Sequence, residues 1–237
     1  SRNASGDDYG GLYANASHLS AFDVSRNQVI SNTATTGSGY SGADYGGGCL
    51  EFEYNSNGQV DDNLVMGNQA ADYVGGWHVY ACYGSSGTFF RNTFRDNEAD
   101  RRGGLYLEAY GVSEWEGSKL VLEGNRAISA NYGGGYIYAG YAGSISLPDS
   151  DVVAYGGVYL YTYDNSTILA PSLYVYSNTA VTEYGGLGLE ASDGNDTVIA
   201  TGAQVISNTA GSDGGGAYVY ADDAGLVDLR QSRFEGN

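Results

Sequence analysis

The chain has 237 residues, of which 42% are hydrophobic, and it combines 38 glycines with only 2 prolines. Its 28 acidic and 10 basic residues give a formal net charge of -18, which argues against nucleic-acid binding because phosphate backbones would be repelled. No run of 18 apolar residues predicts a membrane span, and no linker-like segment divides residues 1–237, which we interpret as one domain.

Strand-like segments follow a Gly-Gly step eight times along the chain. The second glycines of these steps are Gly11, Gly47, Gly76, Gly104, Gly134, Gly157, Gly186 and Gly216. Their intervals of 36, 29, 28, 30, 23, 29 and 30 residues suit a coil of three short strands with their turns. Apolar residues alternate with polar ones after each glycine, and the many glycines disfavour helices. The sequence therefore predicts an all-β fold, a parallel β-helix (β-solenoid) of about eight rungs.

A second motif, hydrophobic-x-x-Asn, precedes most of these glycines by about eight residues. In coils stacked in register, equivalent residues lie ~4.8 Å apart and form a column. We therefore predict a ladder of side-chain amides that donate N–H groups to the carbonyl of the next coil, since ordinary turn asparagines would leave the regular phase unexplained. The predicted ladder is Asn3, Asn32, Asn68, Asn97, Asn125, Asn178, Asn208 and Asn237.

Positions after the second glycine divide between core and surface. The third residue is apolar in every copy and is predicted to point inward, because side chains alternate along a strand. The second and fourth residues point outward and are rich in Tyr and Glu; further tyrosines, such as Tyr9, Tyr45 and Tyr132, precede the glycines. Such a surface suits stacking on sugar rings or packing against another protein, while stacking between coils would stabilise the sheet itself. The predicted surface residues are Tyr13, Tyr106, Tyr136, Tyr138, Tyr159, Tyr161, Tyr218 and Tyr220.

Catalysis on a polysaccharide would need an acid and a base. The candidate carboxylates are Asp61, Asp62, Glu114, Glu116, Asp222 and Asp223. Adjacent strand residues point to opposite faces, so the Asp pairs would need a loop to converge, whereas Glu114 and Glu116 share a face. His18 and His78 are 60 residues apart at different rung positions, so neither a nucleophilic triad nor a zinc site is predicted. We expect no catalytic activity.

The two cysteines lie in successive rungs. Cys49 and Cys82 are offset by four positions, roughly 13 Å of extended chain, whereas a disulfide needs Cα atoms within about 7 Å. A disulfide is therefore disfavoured unless a turn folds back.

Acidic residues precede several of the glycines. Stacked carboxylates repel one another, and Ca²⁺ bridging would relieve the repulsion, as would splaying into water. No cofactor and no metal site are predicted; Asp8, Asp44, Asp72 and Asp100 are weak calcium candidates. Sequons mark Asn15, Asn165 and Asn195 as glycosylation candidates, with a fourth at Asn3.

Two copies of the asparagine motif read Phe94-Arg95-Asp96-Asn97 and Phe234-Glu235-Gly236-Asn237, and they alternate with Gly-Gly steps. This pattern resembles the repeats of polymorphic outer-membrane proteins. The Asn-Thr-Ala…Gly-Gly-Gly form is similar to right-handed parallel β-helix repeats of large secreted bacterial surface proteins. The resemblance covers nearly the whole chain and implies a right-handed β-helix in an extracellular or cell-surface location, without catalytic residues.

The leading hypothesis is an extracellular structural, adhesive or filament-forming surface protein. The alternative is a β-helix that binds or degrades polysaccharides, as a lyase or glycosidase. The chain begins and ends at nearly the same point of the repeat, and neither end carries a polar capping segment. This favours end-to-end self-association or a longer solenoid, with glycans as further partners.

Overall fold

The computed structural model describes residues 3–5, 9–35, 44–129, 132–155, 157–180 and 185–237. This part of the chain is all-β: three parallel sheets wind around one another as a β-solenoid of stacked coils. It contains no helix, and hence none long and apolar enough to cross a membrane. The predicted fold class is confirmed.

The first sheet, named the tyrosine sheet, has eight strands in register, each starting directly after a second glycine of the repeat. The strands are Leu12–Ser17, Gly48–Glu53, Trp77–Cys82, Leu105–Tyr110, Gly135–Gly140, Val158–Tyr163, Leu187–Ser192 and Ala217–Asp222.

The second sheet, named the middle sheet, also has eight strands, which follow the tyrosine sheet after a short turn. They are Ala21–Asp23, Asn57–Gln59, Ser86–Phe90, Glu114–Ser118, Ser144–Ser146, Thr167–Leu169, Thr197–Ile199 and Leu226–Asp228.

The third sheet, named the asparagine sheet, has twelve strands because a corner divides several of its passages in two. The strands are Ala4–Ser5, Gln28–Ile30, Thr33–Ala34, Leu64–Met66, Gln69–Ala70, Thr93–Arg95, Glu98–Ala99, Val121–Ala127, Asp151–Tyr155, Tyr174–Tyr176, Gln204–Ile206 and Arg233–Glu235.

The Gly-Gly steps are needed for close approach between coils. A Cβ atom on Gly76 would lie 1.9 Å from the carbonyl oxygen of Gly104, and one on Gly104 would lie 2.2 Å from that of Gly134. None of the second glycines has a positive φ. Glycine is therefore needed at these positions because a side chain would clash with the neighbouring backbone, and not because the turn requires a left-handed conformation.

The core is a continuous column of apolar side chains between the sheets. The third strand positions are buried as predicted from Leu50 to Leu189, whereas Val219 in the last coil is 47% exposed. Large aromatic rings fill the middle of the core because glycine makes room for them: a Cβ on Gly58 would lie 2.0 Å from the Phe52 ring, and one on Gly87 would lie 2.3 Å from the Trp115 ring.

The predicted asparagine ladder is present, and its members from Asn32 to Asn208 are buried, whereas Asn3 and Asn237 at the two ends are exposed. From Asn32 to Asn97, the backbone N–H and side-chain amide of each asparagine both donate to Oδ1 of the asparagine in the next coil, at 2.9–3.1 Å. Asn178 and Asn208 repeat the pattern toward Asn237. The side-chain amides also donate to main-chain carbonyls of the preceding coil, as from Asn68 to Val29. The ladder thus satisfies corner groups that would otherwise be buried without partners.

The ladder is interrupted between Asn125 and Asn178, in the short rung. Strand Asp151–Tyr155 pairs with Val121–Ala127 through a register shift, so that Glu123 faces Val153 but Arg126 already faces Tyr155. One residue, Ala154, lies between these pairs where the neighbouring strand has two, Gly124 and Asn125, so no asparagine continues the ladder in this coil.

A second ladder was not predicted. Asn27 donates its backbone N–H to Oδ1 of Asn63 at 2.9 Å, and Asn63 does the same to Asn92 at 3.0 Å. Their side-chain amides follow the same direction. This ladder fixes the corner between the middle and asparagine sheets in the first three coils.

Candidate functional site

The outer face of the tyrosine sheet carries the predicted surface residues in two columns. Strand register places Cys49, His78 and Tyr106 next to one another at the second position, with Glu51, Tyr80 and Glu108 beside them at the fourth. The columns continue through Tyr136 and Tyr138 to the last coil.

A third column covers part of this face. Residues just before the glycines form single parallel bridges from Tyr9 to Tyr45, Val74, Arg102 and Tyr132. Under this cover Cys49 is fully buried, and Tyr106 and Tyr159 are only 8% and 6% exposed. The other predicted surface tyrosines divide by exposure: Tyr13 and Tyr220 are exposed, and the rest are half-buried.

The aromatic rings on this face stack on one another along the solenoid axis. The His78 ring lies between Tyr45 and Tyr106, with centroids 5.5 and 4.5 Å away and interplanar angles of 11° and 13°. Tyr138 and Tyr161 stack similarly at 5.3 Å and 25°. Because these ring faces already contact each other, they are not free to stack on a sugar ring; their edges and hydroxyl groups remain.

The face also brings together three residue types typical of a catalytic triad. Cys49 Sγ lies 3.6 Å from Nδ1 of His78, and His78 Nε2 lies 3.3 Å from Oε2 of Glu108. A nucleophile beside a base that is oriented by a carboxylate is the arrangement of thiol-dependent hydrolases. Sequence reasoning missed it, although the three residues occupy the second, second and fourth positions of successive rungs.

The surroundings of Cys49 oppose thiol chemistry. Burial raises the pKa of its thiol well above the usual value, and the neighbouring Glu51 carboxylate, to which the thiol donates at 3.7 Å, raises it further. Reactive cysteines instead lie in accessible sites that lower the thiol pKa. Cys49, His78 and Glu108 therefore form a packed polar cluster. Within it, the His78 ring lies between the rings of Tyr45 and Tyr106.

Arg102 occupies a tyrosine position of the covering column. Its guanidinium carbon lies 4.7, 4.4 and 4.6 Å from the ring centroids of Tyr73, Tyr106 and Tyr136. Its buried Nε and Nη1 make no hydrogen bond in the described part of the chain. The flat cation thus continues the aromatic stack through cation–π contacts.

The candidate carboxylates do not converge on one point. Asp61 is buried and accepts hydrogen bonds from the Phe90 N–H at 2.8 Å and from Gln59 and Thr88, while Asp62 pairs with Arg91 at 2.6 Å. Asp222 accepts a hydrogen bond from the Tyr220 hydroxyl at 2.9 Å.

Glu114 and Glu116 share the outer face of the middle sheet, on either side of the buried Trp115. They line a shallow groove of about 770 Å³, together with Asp23 and Asp61. Of the candidate carboxylates, Asp61, Glu114 and Glu116 therefore lie along one concave surface.

The calcium candidates are engaged by protein groups where the structure describes them. Asp44 is buried, Asp72 pairs with Arg101 at 2.8 Å, and Asp100 accepts a hydrogen bond from the Ser129 hydroxyl at 2.7 Å. Asp8 lies outside the described residues. Within those residues no group of three His, Cys, Asp or Glu side chains could hold a metal ion. The absence of a cofactor stays a prediction, with calcium at these residues as its weak alternative.

Both cysteines are free in the structure, Cys49 facing His78 and Cys82 facing Glu53 on neighbouring strands. The sequon asparagines Asn15, Asn165 and Asn195 are exposed, and the Asn195 amide donates to Oδ1 of Asn165 at 3.2 Å.

No family model, no curated protein and no solved structure matches this chain.

Proposed function

We propose that the chain is a structural and adhesive surface module, without catalytic activity, whose function lies in an extended and repetitive surface. The observation that carries the proposal is the stacking of the outer side chains between coils. His78 stacks between Tyr45 and Tyr106, and Tyr138 stacks on Tyr161, so the residues most typical of a binding site serve mainly to hold coils together. Such stacking supports a stiff rod.

The charge distribution supports contact through the tyrosine sheet. Three arginines pair with carboxylates of a neighbouring coil on the other faces: Arg91 with Asp62, Arg95 with Glu123, and Arg126 with Glu98. On the tyrosine sheet, Glu51 and Asp222 instead accept hydrogen bonds from the hydroxyl groups of Tyr13 and Tyr220, at 2.7 and 2.9 Å. The exposed edge of this sheet therefore offers carboxylates and phenolic groups, which suit a partner rich in hydroxyl or amino groups.

An extracellular or cell-surface location is part of the proposal and rests on the resemblance to polymorphic outer-membrane and secreted β-helix repeats. The Phe94-to-Asn97 copy of that repeat belongs to the buried ladder, which supports the structural part of the resemblance. End-to-end association of copies likewise stays a prediction.

Adhesion can be tested with the folded chain coupled to beads, measuring retention under flow on amine-coated glass and on neutral polysaccharide films. The double variant Glu53→Gln with Asp222→Asn removes two charges from the tyrosine sheet. The matched variant Asp23→Asn with Glu114→Gln removes two charges from the middle sheet. We expect only the first variant to lower retention. An equal loss in both variants would show that retention depends on net charge and not on the tyrosine sheet.

The groove on the middle sheet favours a second candidate, a polysaccharide-binding or polysaccharide-degrading module. Glu114 and Glu116 are exposed there on one face, as a pair of catalytic carboxylates would need to be. The test is cleavage of neutral and acidic polysaccharides by the chain and by Glu114→Gln and Glu116→Gln variants. Cleavage by the wild-type chain that is lost in these variants would overturn the structural proposal in favour of a polysaccharide-degrading enzyme.

A further inference from the structure

The turn that leaves each strand of the tyrosine sheet holds two consecutive residues in the left-handed backbone region. The first residues of these pairs are His18, Tyr54, Tyr83, Gly111, Tyr141, Asp164, Asp193 and Asp223. The tyrosines are the unusual members, because bulky side chains rarely adopt positive φ, yet Tyr54, Tyr83 and Tyr141 have φ values of 54°, 51° and 54°.

The rings at this turn form one continuous row, the corner row, made of His18, Tyr54, Tyr83, Tyr110, Tyr141 and Tyr163. His18 lies 4.8 Å from Tyr54. Where Gly111 provides no side chain, the preceding Tyr110 fills the gap, 6.5 Å from Tyr83 and 4.6 Å from Tyr141. The row therefore crosses six coils without a break.

One pair in the corner row combines contact with exposure. The rings of Tyr54 and Tyr83 are 4.9 Å apart and nearly parallel, at 14°, and they are 43% and 50% exposed. Of the tyrosine pairs in the described part of the chain, it is the one in which both rings exceed 40% exposure. Tyr106 and Tyr159 also contact other rings, but burial shields them from any dissolved reagent.

We propose that Tyr54 and Tyr83 are a site of oxidative coupling, which joins two successive coils through dityrosine. The co-substrate is hydrogen peroxide, used by a haem peroxidase. Each phenol loses one electron and one proton, and the two phenoxyl radicals form one carbon–carbon bond between their ortho carbons. Each ring regains aromaticity when its ortho hydrogen moves to the phenolic oxygen. The two electrons and two protons reduce one peroxide to two waters.

The fold directs this coupling within the chain. Parallel strands hold successive coils ~4.8 Å apart, so the two rings stay neighbours while exposed side chains reorient within nanoseconds. Phenoxyl formation needs a hydroxyl group on both rings, which phenylalanine lacks. The product would close the 30 residues from Tyr54 to Tyr83 into a covalent ring, which restricts the unfolded chain as a disulfide does.

The experiment treats the folded full chain with a haem peroxidase and limiting hydrogen peroxide. Dityrosine fluorescence of the monomer band, loss of two hydrogens from the intact mass, and mapping of the linked peptides are measured. The test variant is Tyr83→Phe, which keeps an aromatic ring at the left-handed position. The matched control is Tyr220→Phe, which removes an exposed phenol at the far end of the solenoid.

We expect wild type and Tyr220→Phe to yield a monomer whose main linked peptide joins Tyr54 to Tyr83, with a raised urea midpoint. Tyr83→Phe should lose most of the monomer dityrosine, and wild type coupled in urea should lose the preference for this pair. Links that map elsewhere, coupling confined to covalent dimers, or undiminished monomer dityrosine in Tyr83→Phe would each overturn the proposal.

Discussion

Removing one member of the buried ladder measures how much the solenoid depends on it. Asn97 takes part in four hydrogen bonds through its side chain: Oδ1 accepts from the backbone and amide N–H groups of Asn68 at 3.0 and 2.9 Å, and Nδ2 donates to Val65 O and Asn125 Oδ1, both at 2.9 Å. Asn97→Ala removes all four.

The cost follows from the groups left behind. Asn125 Oδ1 keeps a donor, because the backbone N–H of residue 97 still reaches it at 3.1 Å. Two N–H groups of Asn68 and the carbonyl of Val65 lose their partner from the side chain, and Asn68 itself is fully buried. At about 1–3 kcal/mol for each unsatisfied buried group, the loss is at least about 3 kcal/mol. That is a large fraction of the roughly 5–15 kcal/mol that stabilises a folded domain.

Urea unfolding followed by circular dichroism and tryptophan fluorescence tests this value. Trp77 reports on the region, since its ring lies 5.9 Å from Phe94, three residues before Asn97. The matched control is Asn195→Ala, which removes an exposed side chain that donates a hydrogen bond of 3.2 Å to Oδ1 of Asn165 and should cost less than about 0.5 kcal/mol. Equal midpoints for the two variants would refute the ladder as a source of stability.

Three further changes test other parts of the structure. Gly76→Ala should prevent native stacking, seen as loss of the β-sheet circular dichroism, because its Cβ would lie 1.9 Å from the Gly104 carbonyl oxygen. Burial raises the pKa of Tyr106 and Tyr159, so only the unfolded chain ionises them above about pH 10. The contribution of these two tyrosines to stability, measured by urea, should be constant below that pH and fall above it by about 1.4 kcal/mol per pH unit for each tyrosine. Burial likewise raises the pKa of Asp196; Asp196→Ser should therefore stabilise the chain at neutral pH, and the gain should shrink as the pH falls through the raised pKa of the folded carboxyl and level off below about pH 4, where the carboxyl is protonated in both states.

The last of these substitutions follows the pattern of its own column. Ser56 and Ser166 lie at the same turn in other coils, and each hydroxyl donates to the carbonyl three residues earlier, at 2.6 and 2.7 Å. Asp196 accepts the Ser166 N–H at 2.8 Å through Oδ1, but its buried Oδ2 has no hydrogen-bond partner in the described part of the chain. A serine hydroxyl at position 196 can accept the same N–H. It can also donate to the carbonyl three residues earlier, as Ser56 and Ser166 do. An unchanged midpoint at neutral pH would show that the carboxylate is solvated.

The strands and the main ladder could be predicted because stacking converts a sequence interval into a neighbour. Gly47 and Gly76 are 29 residues apart, and the strands that follow them pair in register. The same intervals also contained the second ladder: Asn27, Asn63 and Asn92 are separated by 36 and 29 residues, as are the first three glycines. These asparagines lie outside the two motifs that mark the repeat, so those motifs did not predict the second ladder.

Exposure could not be predicted in the same way. Alternation correctly turns Tyr106 and Tyr159 away from the core, but it does not specify what lies over them. The cover comes from a separate column at the glycine corner, and the height and tilt of its rings depend on which side chains follow one another. Arg102 in place of a tyrosine, packed 4.4 Å from Tyr106, is one such case.

The Cys49, His78 and Glu108 cluster shows why residue type and spacing do not determine chemistry here. Each contact distance is compatible with a triad, yet a thiol must ionise and meet its substrate to act as a nucleophile. Burial raises the thiol pKa, as does Glu51, and the tyrosine rings on both sides of His78 leave the base no open face. The same stacking that aligns the three residues also closes them off. Reactivity on this solenoid is therefore expected where stacked rings reach solvent, as at the corner row, and not where polar groups are packed beneath it.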